Sequence, residues 1–152
     1  YFDQDTKNQI IYASGWYENE SVVNSEGVEV SAQYDMFKIL SISADYAYID
    51  AKTGKNTRLL SVPKNSADFT ISFKPSKRSS SSILVRYNGK EKNTNGDVKS
   101  WTRVDVNTNY KITERLSAFA KVENLFDENY QQVYGYGTPS ISGLVGVSLT
   151  LQ

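Results

Sequence analysis

The chain has 152 residues with 17 basic and 17 acidic side chains, so its formal net charge is zero, and it contains neither cysteine nor histidine. This length is enough for one domain, and zero net charge provides no overall basic field for binding nucleic acid. Catalysis by thiolate or imidazole, disulfides and Cys/His zinc sites are excluded, because the residues that they require are absent.

The first part of the chain is predicted to contain one strand and one loop. Residues 1–14 combine a polar centre with an apolar cluster, Ile10 to Tyr12, and are predicted to form a strand. Residues 15–27 are rich in Asn, Glu and Ser, and this composition predicts a loop.

From residue 28 onward, apolar and polar side chains alternate in a series of short runs. Alternation with a period of two indicates a β-strand with one apolar face. The predicted strands are 28–34, 40–48, 67–73, 82–88, 101–110, 116–123 and 141–152. With residues 1–14 they make about eight strands with no helical periodicity between them. The fold class predicted is all-β, an antiparallel up-and-down meander.

The predicted connections alternate between long polar loops and short turns. Long loops are predicted near residues 15–27, 50–65, 89–99 and 127–140, and short turns near 36–39, 75–80 and 111–115. This asymmetry is typical of bacterial outer-membrane barrels, with long loops outside the cell and short turns in the periplasm. The Lys-rich loop 89–99 is interrupted by Glu91 and Asp97 and lacks interleaved aromatics, which favours a solvated loop over a nucleic-acid site.

The two faces of the predicted strands differ in chemistry. Aromatic residues lie near strand ends, as in the interfacial girdles of membrane barrels; they are Tyr34, Tyr46, Tyr48, Phe73, Tyr87 and Tyr110. The opposite charges of Arg103 with Asp105, and of Lys121 with Glu123, are interpreted as ion pairs on a wet sheet face. A soluble lipocalin-like barrel or β-sandwich would alternate in the same way, so periodicity alone leaves both classes open.

The most specific part of the sequence is its last thirty residues. Residues 122–136 are VENLFDENYQQVYGY, and an alternating strand follows at 141–152. This segment resembles the C-terminus of TonB-dependent outer-membrane receptors, most closely the cobalamin receptor type, and segments 24–29 and 62–65 resemble other parts of the family. Two departures are Pro139-Ser140, where the family has a Gly-Arg pair, and Leu151, where the family ends on an aromatic residue.

The resemblance implies that residues 1–152 are the C-terminal portion of a large barrel of the 22-stranded class, with the plug domain and the earlier strands absent. It implies a location in the outer membrane of a Gram-negative bacterium and TonB-coupled import of siderophore-bound iron, heme or cobalamin. The partners implied are outer-membrane lipid, the TonB complex through the plug, and the barrel-assembly machinery. We expect no enzymatic activity, cofactor or metal site, because no catalytic constellation can be assembled from these residue types.

Two sets of candidate residues follow from this resemblance. Tyr130, Tyr134 and Tyr136, in the last predicted external loop, are candidates for ligand contact, although tyrosines also commonly pack within a loop. The terminal pattern Val147, Leu149 and Leu151 resembles the signal by which the assembly machinery captures a strand through edge pairing. The alternatives left open are a small stand-alone outer-membrane barrel with a structural or porin-like role and a soluble lipocalin-like binding module.

Overall fold

The structure is a computed structural model that describes residues 1–13 and 15–151, and its main feature is one antiparallel sheet. The strands are β1 Phe2–Ala13, β2 Trp16–Met36, β3 Leu40–Thr53, β4 Asn65–Phe73, β5 Ser79–Asn88, β6 Glu91–Asn93, β7 Gly96–Val98, β8 Trp101–Lys111, β9 Leu116–Glu123 and β10 Ser142–Leu149. Eight of them form the sheet in the order β1-β2-β3-β4-β5-β8-β9-β10, while β6 and β7 pair separately. The predicted meander of about eight strands is confirmed. No helix in the described ranges is long and apolar enough to cross a membrane.

The pairing between strands collects apolar side chains on one face of the sheet. One row of directly paired residues crosses six strands and contains Ile42, Ile71, Ile83, Val106, Val122 and Gly143. The adjacent row, on the opposite face, contains Ser41, Ser72, Ser82, Asn107, Lys121 and Leu144. Because side chains alternate along every strand, the pairing fixes an apolar face and a polar face across the sheet.

The apolar face is not covered by a second layer within the described part of the chain. Its side chains remain exposed in the middle of the strands, as at Val30, Phe69, Ile83 and Val145. The buried apolar residues are few and lie near the loop end of the sheet, and they are Val23, Ala51, Val98, Trp101 and Tyr130. Soluble monomers rarely expose a continuous apolar face of this kind. The arrangement differs from a lipocalin-like barrel or a sandwich, which would enclose a dry core.

Aromatic side chains border this apolar face in two rows. Tyr34, Phe73 and Tyr110 lie close to the turns at one end of the sheet, and Tyr46, Tyr48 and Tyr87 lie close to the loops at the other. Tyr46 is six residues along β3 from Leu40, the partner of Phe73, which corresponds to roughly 20 Å. That separation is of the same order as the ~25 Å apolar band of a membrane barrel.

The prediction of a loop at residues 15–27 is wrong. β2 has 21 residues, about 70 Å at 3.3 Å per residue, and its first half pairs with β1 from Ala13↔Trp16 to Phe2↔Gly27. The hairpin extends beyond the end of β3, whose last partner in β2 is Val23. There both faces meet water, so the sequence need not alternate, and the backbone hydrogen bonds alone maintain the strand.

Two other predicted boundaries change. The predicted loop 50–65 begins later, because β3 continues to Thr53. The predicted solvated loop 89–99 contains the β6–β7 hairpin, in which Glu91 and Val98 are buried. The terminal residues of two predicted strands, Ser14 and Gln152, lie outside the described residues.

The turn between β2 and β3 has an unusual backbone. Phe37 and Lys38 have φ angles of 54° and 60°, in the left-handed region where bulky residues are rare outliers. Such a conformation costs about 1–3 kcal/mol per residue, and Phe37 is 83% exposed.

Candidate functional site

The three candidate tyrosines lie in the loop between β9 and β10, residues 124–141, at the end of the sheet that carries the other long connections, 54–64 and 89–100. The opposite end carries the short turns 37–39, 74–78 and 112–115. The predicted asymmetry between long loops and short turns is therefore present, apart from the β1–β2 connection.

The start of loop 124–141 is organised by two short polar side chains. Asn124 and Asp127 both have φ of 54°, a conformation that Asn and Asp tolerate better than other residues with a Cβ. Asn124 Oδ1 accepts a hydrogen bond from the backbone N of Glu128 at 2.9 Å, and its Nδ2 donates to the carbonyl of Pro139 at 3.3 Å. Asp127 Oδ1 accepts from the backbone N of Ile141 at 2.9 Å. These bonds hold the two ends of the loop together ahead of β10.

Tyr130 is buried against β8. Its ring centroid lies 4.5 Å from that of Trp101, and Arg103 Nη1 donates a hydrogen bond to its hydroxyl at 2.9 Å. Only 6% of Tyr130 is exposed. This tyrosine fastens the loop to the polar face of the sheet and presents little surface to a ligand.

The Arg103–Asp105 pair lies beneath the same loop. Arg103 Nη2 is 2.8 Å from Asp105 Oδ2, and Asp105 Oδ1 accepts a hydrogen bond from the backbone N of Asn124 at 3.0 Å. Asp105 is 4% exposed, so its predicted place on a wet face is corrected: the terminal loop covers it. The Lys121–Glu123 pair, at 2.6 Å, remains half-exposed as predicted.

Tyr134 and Tyr136 present more surface than Tyr130. Tyr134 is 40% exposed and packs over Gly96 at the tip of the β6–β7 hairpin, where a Cβ atom would clash with the tyrosine ring. Tyr136 is 72% exposed, and its backbone N donates to the carbonyl of Val133 at 3.0 Å. The structure therefore separates the three candidates into one anchor, one partly covered residue and one open residue.

The long loops at this end contact one another, and we call residues 54–64, 89–100 and 124–141 the loop layer. Arg58 Nη2 donates to the carbonyl of Lys90 at 3.4 Å, and the backbone N of Ser61 donates to the carbonyl of Lys92 at 2.7 Å. The packing of Tyr134 on Gly96 joins the third loop to the second. The layer is a connected structure that presents aromatic and polar groups.

Charge within the loop layer is partly neutralised. Lys90 Nζ lies 2.7 Å from Asp97 Oδ2, and this hydrogen bond lowers the pKa of the Asp97 carboxyl, which stays ionised at neutral pH. Among the described residues, no group of three or more His, Cys, Asp or Glu side chains is placed to hold a metal ion. The chemistry available here suits binding through aromatic and hydrogen-bonding groups.

The proposed assembly residues lie on the last strand. Val147 pairs with Ala118 and Leu149 with Leu116, which places both on the apolar face. Their side chains and that of Leu151 are exposed, and the outer edge of β10 has no neighbour in the described sheet.

Sequence reasoning missed the anchoring role of Trp101. This residue lies on the polar face of β8, opposite Asn88, where the neighbouring side chains are charged or amide-bearing. A large aromatic residue on an otherwise polar face was the available signal, because such a ring needs a partner to cover it.

An antiparallel meander with an exposed apolar face, aromatic rows at both ends and a polar opposite face defines part of the wall of an outer-membrane β-barrel. Comparison with known families agrees: the family described as TonB dependent receptor-like, beta-barrel, matches residues 1–125. The chain belongs to the TonB-dependent receptor family, and the predicted family, fold class and outer-membrane location are confirmed.

Individual relatives and solved structures are similar over different extents. The vitamin B12 transporter BtuB of Vibrio vulnificus (strain YJ016) is 39% identical over 57 residues, which cover 37% of this chain and 9% of that protein. The copper transporter OprC superimposes with a TM-score of 0.83 at 17% identity, covering 97% of this chain and 26% of OprC. The ferric-catecholate import receptor Fiu of E. coli K12 has a TM-score of 0.75 at 17% identity, covering 95% of this chain and 24% of Fiu. The chain thus spans about a quarter of these solved structures.

Proposed function

We propose that residues 1–152 form the C-terminal portion of the barrel of a TonB-coupled importer that carries a scarce, bulky ligand across the outer membrane. The ligand class proposed is siderophore-bound iron, heme or cobalamin. The observation that carries the proposal is the family match over residues 1–125. The printed names of BtuB and Fiu, a vitamin B12 transporter and a ferric-catecholate import receptor, support this range of cargo.

In this proposal the wall and the loop layer are the contribution of the present chain. The polar face borders the aqueous lumen, and the loop layer faces the outside, where ligand first arrives. The plug domain and the TonB complex that acts on it are proposed partners of the whole receptor.

The test is uptake by cells that carry or lack the full-length gene. Deletion is expected to abolish uptake of one of labelled cobalamin, heme or ferric siderophore, and the full-length gene should restore it only in cells with functional TonB. Uptake that persists without TonB, or diffusive passage of many small solutes, would instead support a porin-like barrel.

Replacing both Tyr134 and Tyr136 with alanine is expected to weaken ligand binding at least about tenfold, because exposed aromatic residues often dominate the affinity of a binding surface. The measurement is equilibrium binding to intact cells that express the full receptor, with surface abundance quantified in parallel. Phe126, an exposed aromatic residue of the same loop, provides the control, and its alanine variant should bind normally. Unchanged affinity in the double variant would remove both tyrosines from the binding surface.

A second proposed role is that of the terminal strand in barrel assembly. Its support is the position of Leu149 on the apolar face of β10, beside an edge with no partner in the described sheet. Because the signal is thought to act through edge pairing and apolar side chains, replacing Leu149 and Leu151 with aspartate should abolish outer-membrane assembly.

Assembly is measured by membrane fractionation and by the heat-dependent gel mobility of the folded barrel. The matched control is the aspartate variant of Ser148 and Thr150, which alternate with the two leucines and should assemble nearly normally. Normal assembly of the Leu149/Leu151 variant would refute the role.

A further inference from the structure

The turn end of the sheet is strongly basic although the chain as a whole is neutral. Its cationic residues are Lys38, Lys74, Lys77, Arg78, Lys111 and Arg115, which we call the basic rim. Only two acidic residues, Asp35 and Glu114, lie at the same end. Glu114 is paired with Lys111 at 2.8 Å, whereas Lys38, Lys77 and Arg78 make no ion pair with any described residue. The rim therefore carries a net positive charge on exposed side chains.

The basic rim adjoins the apolar face. Tyr34, Phe73 and Tyr110, all exposed, lie on that face next to the turns. Aromatic rings of this kind prefer the boundary between hydrocarbon and headgroups in a bilayer. Cations that follow such a row by a few residues are placed at the depth of the headgroups.

The β2–β3 turn supplies an independent observation. Phe37 and Lys38 retain a left-handed backbone that a Gly or Asn would adopt with less strain. The result is an aromatic ring and an ammonium group side by side at the tip, with Phe37 83% exposed. A strained backbone that persists is a reason to look for a role of the side chains that it presents.

We infer that the basic rim is a binding surface for anionic phospholipid headgroups, such as phosphatidylglycerol, in the membrane leaflet nearest the turns. Lys and Arg near an anionic bilayer surface are attracted to it, and the Arg78 guanidinium can form paired hydrogen bonds with a phosphate. A lipid is favoured over a soluble phosphate because the cations border the aromatic row and the apolar face. The inference rests on the membrane placement of the barrel and is independent of the cargo.

The test uses the full-length receptor, purified in detergent and shown by heat-dependent mobility to be folded. Phosphatidylglycerol is titrated, and lipid-bound species are counted by native mass spectrometry. Combined replacement of Lys38, Lys77 and Arg78 with glutamine is expected to reduce affinity for phosphatidylglycerol by roughly fivefold for each cation removed. The control replaces Lys55, Lys92 and Lys99, exposed residues of the loop layer, with glutamine and should bind as the unmodified receptor does.

Further arms separate the possible outcomes. Phosphatidylcholine should bind equally to both variants, and free glycerol phosphate should not compete. A second variant, Phe37→Asn with Lys38→Gly, relieves the strained backbone, so it should fold at least as well yet bind less phosphatidylglycerol. Equal phosphatidylglycerol binding by all proteins, or full competition by glycerol phosphate, would overturn the inference. Because no cargo is used, these outcomes are separate from failure of the import proposal, which the uptake experiment detects.

Discussion

Replacing Ile83 with arginine is expected to destabilise the folded receptor in lipid vesicles by about 2–4 kcal/mol, because Arg in the middle of a lipid-facing strand must leave water for hydrocarbon. Ile83 lies between its partners Ile71 and Val106, in the middle of the apolar row. Its side chain is exposed, so the added length meets the surroundings of the sheet directly. The measurement is the free energy of unfolding of the full receptor, obtained by urea titration in vesicles.

The matched control is Ser82→Arg on the neighbouring residue. Ser82 points to the opposite face, where its partners are Ser72 and Asn107, and a charge that faces a wet lumen should cost less than ~1 kcal/mol. Equal costs for the two variants would contradict the assignment of the faces. A larger cost for Ser82→Arg would reverse it.

Replacing Asp105 with alanine is expected to cost about 3–5 kcal/mol, because removal of one partner of a buried ion pair leaves the other charge uncompensated. The substitution leaves Arg103 without its carboxylate and removes the acceptor for the backbone N of Asn124. Loop 124–141 should therefore separate from β8. The measurements are the free energy of unfolding and the rate of protease cleavage within the loop.

Two variants provide comparisons for Asp105→Ala. Glu123→Ala breaks the half-exposed pair with Lys121 and should cost at most about 1 kcal/mol. Tyr130→Phe keeps the ring on Trp101 and removes only the hydroxyl that Arg103 contacts, so an intermediate loss of about 1–3 kcal/mol is expected. A loss for Asp105→Ala no larger than that for Glu123→Ala would show that the buried pair contributes little.

The sequence predicted those parts of the sheet where a strand separates two different environments. β4 and β5 alternate strictly, with Phe69 and Ile71 on one face and Asp68 and Thr70 on the other, and both strands were located within a few residues. Contact of one face with hydrocarbon and the other with water imposes that alternation. Strand identity is therefore encoded locally in this region.

The same reasoning explains why the first half of β2 was missed. Above the apolar band both faces of the β1–β2 hairpin meet polar surroundings, and residues such as Glu18, Asn24 and Glu26 satisfy either face. A strand there depends on its backbone partner, and pairing across the hairpin cannot be read from composition. The hairpin within 89–99 was missed for the same reason.

The candidate site was only partly predictable. The Asn124–Asp127 motif was recognised because its bonds are mostly within one loop, which keeps the pattern local in sequence. The burial of Asp105 was not predicted, because its cover comes from Tyr130, 25 residues later in the chain, together with Trp101. Ion pairs of the same spacing, Arg103–Asp105 and Lys121–Glu123, have different surroundings that their local sequence does not reveal.

The joined loop layer has a consequence for protein engineering. Because Ser61 is hydrogen-bonded to Lys92 and Tyr134 packs on Gly96, each loop is shaped by its neighbours. Grafting a single loop from a related receptor, with the aim of changing which nutrient is taken up, would leave unmatched surfaces at both seams. A chimera that exchanges all three loops as one module would preserve these contacts and is the design that the structure favours.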